Sequence, residues 1–342
     1  LVPFKIKKTD VSRIRKPKTK IMMNVGEPGQ AFGLSFIPND GVGLCREEFI
    51  IASDIGIHPM ALIDYETLKR RNDPKIKTIV KKIDEKTIAW KDKPKFYVDN
   101  LAFGIGKIAS AFYPKEVIVR FSDFKTNEYR SLIGGELYEP EEENPMIGWR
   151  GASRYYHPGF EKAFILEIKA IKKVREEMGL TNVNVMVPFC RTAEEGKKVM
   201  KILEKNNLRG RKFLKNSGPK IYVMCEVPSN VILADEFLEV FDGMSIGSND
   251  LTQLTVGIDR DAGELLRGVA EENDASVKAS VAKVIERCRA LGKYIGICGQ
   301  APSDFPDFAL FLVKQGIDSI SLNPDSVLKT MEKINDFERK RK

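Results

Sequence analysis

Residues 220–250 read KIYVMCEVPSNVILADEFLEVFDGMSIGSND. The segment opens on an apolar run, KIYVMCEV (220–227), and is punctuated by Pro-Ser-Asn. SNVILADEFLEVF (229–241) then repeats apolar residues at helical spacing, and GMSIGSND (243–250) is a second apolar run that closes on polar residues. A strand, a helix and a strand within about thirty residues make a βαβ unit. Strands that are apolar on both faces belong in a parallel sheet covered by helices.

The same alternation extends in both directions. Further strand-like runs are KIMMNVG (20–26), GVGLCR (41–46), VIVRFSD (117–123), VNVMVPF (183–189), YIGICGQ (294–300) and DSISLNP (318–324). Helical patterns cover 161–179, 192–206, 276–292 and 304–316. Gly179 is placed to stop the first of these, and Thr192 with Glu195 reads as a capping box for the second. Eight strands alternating with helices predict an α/β chain closed into a (β/α)8 TIM barrel, with insertions in its β-to-α loops. An open dinucleotide-binding sheet would carry a glycine-rich phosphate loop after its first strand. NVGEPGQ (24–30) is not one, and no G-x-x-x-x-G-K-[ST] occurs. Residues 65–100 are charged and read as surface helices or an insertion. Residues 124–160 read as an ordered loop over the barrel mouth, with IGWRG left outside the sheet.

With 342 residues, 42% hydrophobic and 30% charged, the chain can bury a sizeable core. No apolar run reaches the roughly 20 residues of a membrane span, and the N-terminus has no signal-peptide pattern. A cytoplasmic protein without membrane contact is expected. Cys45, Cys190, Cys225, Cys288 and Cys298 are odd in number and never spaced C-x-x-C, which argues for reduced thiols. The net charge is +8, but residues 1–20 carry +7 and Arg339–Lys342 carry +4, leaving the body between them at −3. Basic tails of this kind are commonly solvated, and nucleic acid is not expected as a partner. The organisation expected is a basic interdomain linker (1–19), a barrel (20–336, with 65–100 as a charged insertion) and a basic tail (337–342).

Reactive groups of such barrels stand at the C-terminal ends of the strands. There the sequence offers Arg46, Arg120 followed by Asp123, Phe189-Cys190-Arg191, Glu226, Gly247-Ser248-Asn249-Asp250, and Cys298-Gly299-Gln300. Glu226 and Asp250 end consecutive strands, so both can face one hard cation, Mg2+ or Mn2+. Salt bridges to nearby arginines, or helix capping, are the alternative. Arg46, Arg120 and Arg150 can converge on a polyanion, or pair with the same acids. Cys298 lies between Gly296 and Gly299, as if something approached the backbone closely. The other four cysteines read as structural, and His58 and His157 as loop or helix-start residues.

At this point the residues resemble a family. KIMMNVGEPGQAF, NDGVGLCREEFII, VIVRFSDFKTNEYRSLIGGELYEPEEENPMIGWRGASRYY, GLTNVNVMVPF, IYVMCEVPSN, FDGMSIGSNDLTQLTVGIDRD and GKYIGICGQAPSD are similar to the C-terminal, phosphoenolpyruvate (PEP)/pyruvate-binding domain of phosphoenolpyruvate synthases, from about residue 18 to about 335. The resemblance implies that Glu226 and Asp250 hold Mg2+, with Mn2+ a second option. It implies that Arg46, Arg120 and Arg150 bind phosphoryl and pyruvate oxygens, that the backbone around Gly247 and Ser248, with Asn249, contacts the substrate, and that Cys298 moves the proton at the pyruvate methyl carbon. The reaction implied is ATP, pyruvate and water to AMP, PEP and phosphate, with the phosphoryl group arriving from a phosphohistidine. The ATP-grasp and phosphohistidine domains of that family do not occur in this stretch, and neither histidine has the carrier's context. They are expected as partners, together with a homodimer. Two other readings stay open: a non-catalytic dimerisation or assembly module, and a barrel like enzyme I of the sugar phosphotransferase system.

Overall fold

The computed structural model of the chain describes residues 15–208, 218–259 and 271–340. Eight parallel strands, β1 (Lys20–Val25), β2 (Gly41–Arg46), β3 (Glu116–Arg120), β4 (Val183–Val187), β5 (Ile221–Cys225), β6 (Gly243–Ile246), β7 (Tyr294–Ile297) and β8 (Ser319–Leu322), lie in sequence order around a closed barrel. β1 closes the ring against β8 with Met22 opposite Ser321. Seven of the strands fall within the runs read from the sequence, and β3 starts one residue ahead of its run, at Glu116.

Alternation along each strand divides the side chains into two sets. Leu44, Ile118, Met186, Tyr222 and Met224 fill the inside of the barrel with Cys298. Their neighbours, such as Cys45, Val117, Val119, Val185, Val187 and Val223, pack outward under the helices. The lower part of the interior is closed by Tyr222 and Tyr294, whose rings lie 4.7 Å apart. Tyr222 donates to Glu116 (3.0 Å) and Tyr294 hydrogen-bonds Ser319 (2.6 Å), so the phenols are satisfied where they are buried. With the floor sealed, the open end is the C-terminal one.

Two helix signals were read correctly in kind and only partly in detail. Gly179 adopts φ +73 at the end of its helical stretch. Thr192 caps Ala193–Lys205 by accepting from the Glu195 amide (3.1 Å). The Glu195 carboxylate does not return the bond to Thr192, however. It takes the Arg191 amide (2.7 Å) and the Tyr156 hydroxyl (3.0 Å).

The charged stretch 65–100 is not one inserted unit. It forms Tyr65–Lys69, Pro74–Lys86 and the first eight residues of Lys93–Phe112, the helix that returns the chain from β2 to β3. Phe96 and Tyr97 of that helix are core residues. Its charged first turn, Lys93-Pro94-Lys95, hides a barrel helix behind the composition of a surface one. At the C-terminus the expected tail is helical as far as Lys340, within Val327–Lys340. Residues 1–14 of the expected linker and 341–342 lie outside the described residues. Among the described residues no helix is long and apolar enough to cross a membrane.

Candidate active site

At the C-terminal end of seven strands, or one residue past it, the inward set gives up its bulky apolar side chains, mostly for polar ones. Leu44 is followed by Arg46, Ile118 by Arg120, Met224 by Glu226, Ser245 by Gly247 and Gly296 by Cys298. Asn24 and Asn323 do the same for β1 and β8. These residues meet in one cavity of about 600 Å3, lined also by Glu48, Asp123, Arg150, Asn249 and Asp250. Seven of the eight strands thus contribute to one mouth.

Glu226 is fully buried. Its Oε1 accepts the Phe189 amide (2.6 Å), while Oε2 is buried with no partner. Phe189 adopts φ +44, unusual for so large a side chain, and that conformation goes with an amide aimed at Glu226. Burial, then the neighbouring Asp250 and Asp123 carboxylates, push the Glu226 carboxyl up to about 8. A lone, unsatisfied carboxylate oxygen beside a second carboxylate is what a hard divalent cation fits. Among the described residues no group of three or more His, Cys, Asp or Glu side chains could hold a metal ion. A cation here would take Glu226 and Asp250 and draw its other ligands from substrate and water.

The arginines are held by acids. Arg120 pairs with Glu48 (2.8 Å) and lies 3.5 Å from Asp123. Arg150 pairs with Asp123 (2.6 Å) and Asp250 (3.2 Å). Burial works against both guanidinium charges, but these carboxylates more than compensate and hold both groups fully protonated. Arg46 lies over the Phe49 ring, 4.7 Å from its centroid, at the rim. The alternative of ion pairing is therefore realised for Arg120 and Arg150 inside the cavity that the anion reading needs.

Cys298 is 3% exposed, and its Sγ lies 3.7 Å from the Ile246 carbonyl. Burial pushes its thiol up to about 11, against the pull of a Ser245 hydrogen bond and of Arg120. It is therefore a thiol at neutral pH. The neighbour that Gly299 admits is the protein itself: a side chain there would stand 2.5 Å from the Ser248 amide. Asn249 and Gln300 tie the same two loops by a reciprocal pair of 3.2 Å hydrogen bonds. The other four cysteines are buried and unpaired, as their structural reading expects.

Of the residues singled out from sequence, Arg46, Arg120, Arg150, Glu226, Gly247, Asn249, Asp250 and Cys298 line the cavity. Ser248 does not, but its amide lies beside the cavity-lining Gly299, and its hydroxyl donates to Glu272 (2.6 Å). Sequence reasoning gave no role to Asn24, Glu48, Asp123 or Asn323, although the inward alternation marks Asn24 and Asn323. It also missed two buried ionisable groupings. His58, a helix-start residue as expected, donates from Nε2 to Glu139 (3.0 Å) because its Nδ1 accepts the Met60 amide. Glu139 also binds Arg154 through both oxygens (2.8 and 2.5 Å), and Arg154 Nε holds the Trp149 carbonyl (2.8 Å), next to Arg150. Beneath the mouth, Glu47 and Glu167 are both fully buried, and Glu167 accepts the Ser122 hydroxyl (2.6 Å) and amide (3.2 Å). Burial pushes both carboxyls up; the Glu167 charge adds to this at Glu47, whereas hydrogen bonds from Glu47 and Ser122 work against it at Glu167.

Residues 5–339 match the family model described as the PEP-binding domain of PEP-utilising enzymes. The chain belongs to that family. Its sequence is 56% identical to a phosphoenolpyruvate synthase of Synechocystis sp. (strain ATCC 27184 / PCC 6803 / Kazusa), over 99% of this chain and 40% of that protein. It is 51% identical to one from Aquifex aeolicus (strain VF5), over 99% and 44%, and 49% identical to one from Escherichia coli (strain K12), over 96% and 40%. The PEP-binding domain thus spans about two fifths of the length of these curated relatives. Among solved structures, an HpcH/HpaI aldolase from Desulfitobacterium hafniense DCB-2 aligns over 90% of the domain and 86% of its own chain, at 12% identity and a TM-score of 0.43. At that distance the likeness says nothing of function.

Proposed function

We propose that this domain binds pyruvate and PEP with a divalent cation, and carries out the enolisation and phosphoryl-transfer half of a phosphoenolpyruvate synthase reaction. The observation that carries the reading is the meeting, in one cavity, of a thiol, a carboxylate pair with an unsatisfied oxygen, and three guanidiniums. Curated relatives bearing the synthase name support it. The phosphoryl donor would be a phosphohistidine on another domain of a longer protein, charged by an ATP-grasp domain.

The chemistry needs each group. A methyl proton beside a ketone is weakly acidic, so charge developing on the enolate oxygen has to be stabilised. Mg2+ or Mn2+ on Glu226 and Asp250 would supply that positive charge. Arg46, Arg120 and Arg150 orient the carboxylate and offset the charge spread over the phosphoryl oxygens. In the synthesis direction Cys298 first loses its thiol proton to solvent in the open mouth, and the thiolate then accepts a proton from the pyruvate methyl carbon. The enolate oxygen then forms a bond to phosphorus as the phosphorus–nitrogen bond of the phosphohistidine breaks. In the reverse direction the Cys298 thiol returns the proton to carbon. Its elevated pKa presents it as the proton donor. The base role draws on the positive field of Arg120 and Arg46.

Oxalate resembles the enolate of pyruvate and tests the reading. Calorimetry should show oxalate binding only with Mg2+ or Mn2+ present, and Asp250→Asn should abolish that dependence. Binding of oxalate that ignores both the metal and the substitution would sink the proposal.

A further inference from the structure

An arginine side chain has five N–H donors in a fixed fork. Arg150 spends all five within the protein. Nε and Nη2 donate to the two Asp123 oxygens (3.0 and 2.6 Å), and Nη1 donates to the Met146 carbonyl (3.0 Å). The remaining two go to Asp250, Nη1 to Oδ1 (3.2 Å) and Nη2 to Oδ2 (3.4 Å). Its plane rests on the Phe189 ring, 4.1 Å from the centroid. In this state Arg150 has no donor for a substrate, and both Asp250 oxygens face its guanidinium.

The contacts are unequal. Those to Asp123 are short and two-pronged; those to Asp250 are the longest of the set. A divalent cation on Asp250 would meet the guanidinium charge at contact range, and the cheapest relief is loss of the two weak bonds. The Asp123 pair, the Phe189 stack and the Arg154 hold on the Trp149 carbonyl would keep the rest of the side chain in place.

We propose that Arg150 is the resident counter-ion of Asp250 and leaves it when a divalent cation binds, so that the two freed N–H donors turn to the anionic ligand. The inference rests on the metal-and-anion reading above and adds an order to it: the cation prepares the anion site. Coupling of this kind is reciprocal, so the anion also retains the cation.

The test is a titration of the whole chain with Mn2+, free ion being followed by electron paramagnetic resonance, for wild type and Arg150→Met. Without other ligands the variant should bind Mn2+ about tenfold more tightly or better, a factor typical of such couplings. Oxalate should bind the Mn2+-loaded variant more weakly than the Mn2+-loaded wild type. Unchanged or weaker Mn2+ binding by the variant overturns the exchange while leaving the metal site standing. No Mn2+ uptake by wild type, with or without oxalate, sinks the underlying reading and the exchange with it. Should Arg150→Met not fold, wild-type crystals grown with and without Mn2+ decide. With Mn2+ the Asp250 contacts should open beyond hydrogen-bond reach and the Asp123 contacts persist; Arg150 still bonded to both carboxylates beside a bound ion refutes the proposal.

Discussion

Glu139→Gln isolates the buried pair that anchors the loop before Arg150. Arg154 is fully buried, and its guanidinium is sandwiched among Trp149, Tyr129 and Phe160, with its carbon 4.1, 4.7 and 5.1 Å from their ring centroids. Glu139 supplies its counter-charge through both oxygens. Glutamine keeps the volume and removes the charge, leaving a buried cation uncompensated at a cost of about 3–5 kcal/mol. At about 2 °C per kcal/mol for a chain of this size, the midpoint should fall by roughly 6–10 °C. Urea unfolding followed by tryptophan fluorescence reads the change, since Trp149 packs on Arg154. The double variant Glu139→Leu/Arg154→Met removes both charges and should recover all but about 1–2 kcal/mol. The pH dependence has a defined sign. Burial holds His58 below its ordinary value, so the unfolded chain takes up a proton below about pH 6.5 that the folded chain refuses, and stability declines from there downward. Burial alone would raise Glu139, but the Arg154 and His58 hydrogen bonds hold it below the usual carboxylate range. Its contribution is therefore lost at still lower pH, as the pH falls through that depressed value. A loss under about 1 kcal/mol in Glu139→Gln, or a double variant as unstable as the single one, would refute the account.

The remaining predictions concern the mouth. With the Glu226 carboxyl pushed up to about 8, most of it carries a proton at pH 7 in the metal-free domain. Mg2+ binding should release close to one proton there, visible as buffer-dependent calorimetric heat, and affinity should rise with pH until about 8; pH-independent binding without proton release would contradict this. Gly299→Ala should cost about 1–3 kcal/mol in denaturant unfolding, because the new methyl collides with the Ser248 hydroxyl and amide. A neutral substitution would show that the β6 and β7 loops are not locked together.

What was legible in the sequence follows from the period of two. A buried parallel strand alternates inward and outward, so the first polar inward residue past its apolar run marks the mouth. That logic finds Arg46, Arg120, Glu226 and Cys298 from a single chain. It does not find their partners. Arg150 meets Asp123 from 27 residues away and Asp250 from 100, and Glu139 meets His58 from 81. These pairings depend on how the 124–160 loop folds over the barrel, which no local pattern encodes. Nor does any local pattern name the partner of Ser248, which opens Ser248–Val256 and donates its hydroxyl to Glu272, 24 residues away. The helix Lys93–Phe112 was obscured because a charged first turn precedes its apolar face.

The central claim is that Cys298 moves a proton at the methyl carbon of pyruvate held in this mouth. The direct measurement is exchange of pyruvate methyl protons for deuterium, followed by NMR, with Mg2+ and inorganic phosphate present and Cys298→Ala beside the wild type. The account predicts exchange by the wild type and a loss of about a hundredfold or more in the variant, the usual scale of a removed acid–base group. Equal exchange by both proteins would contradict it, as would a wild type that binds oxalate with Mg2+ yet leaves the pyruvate methyl protons in place.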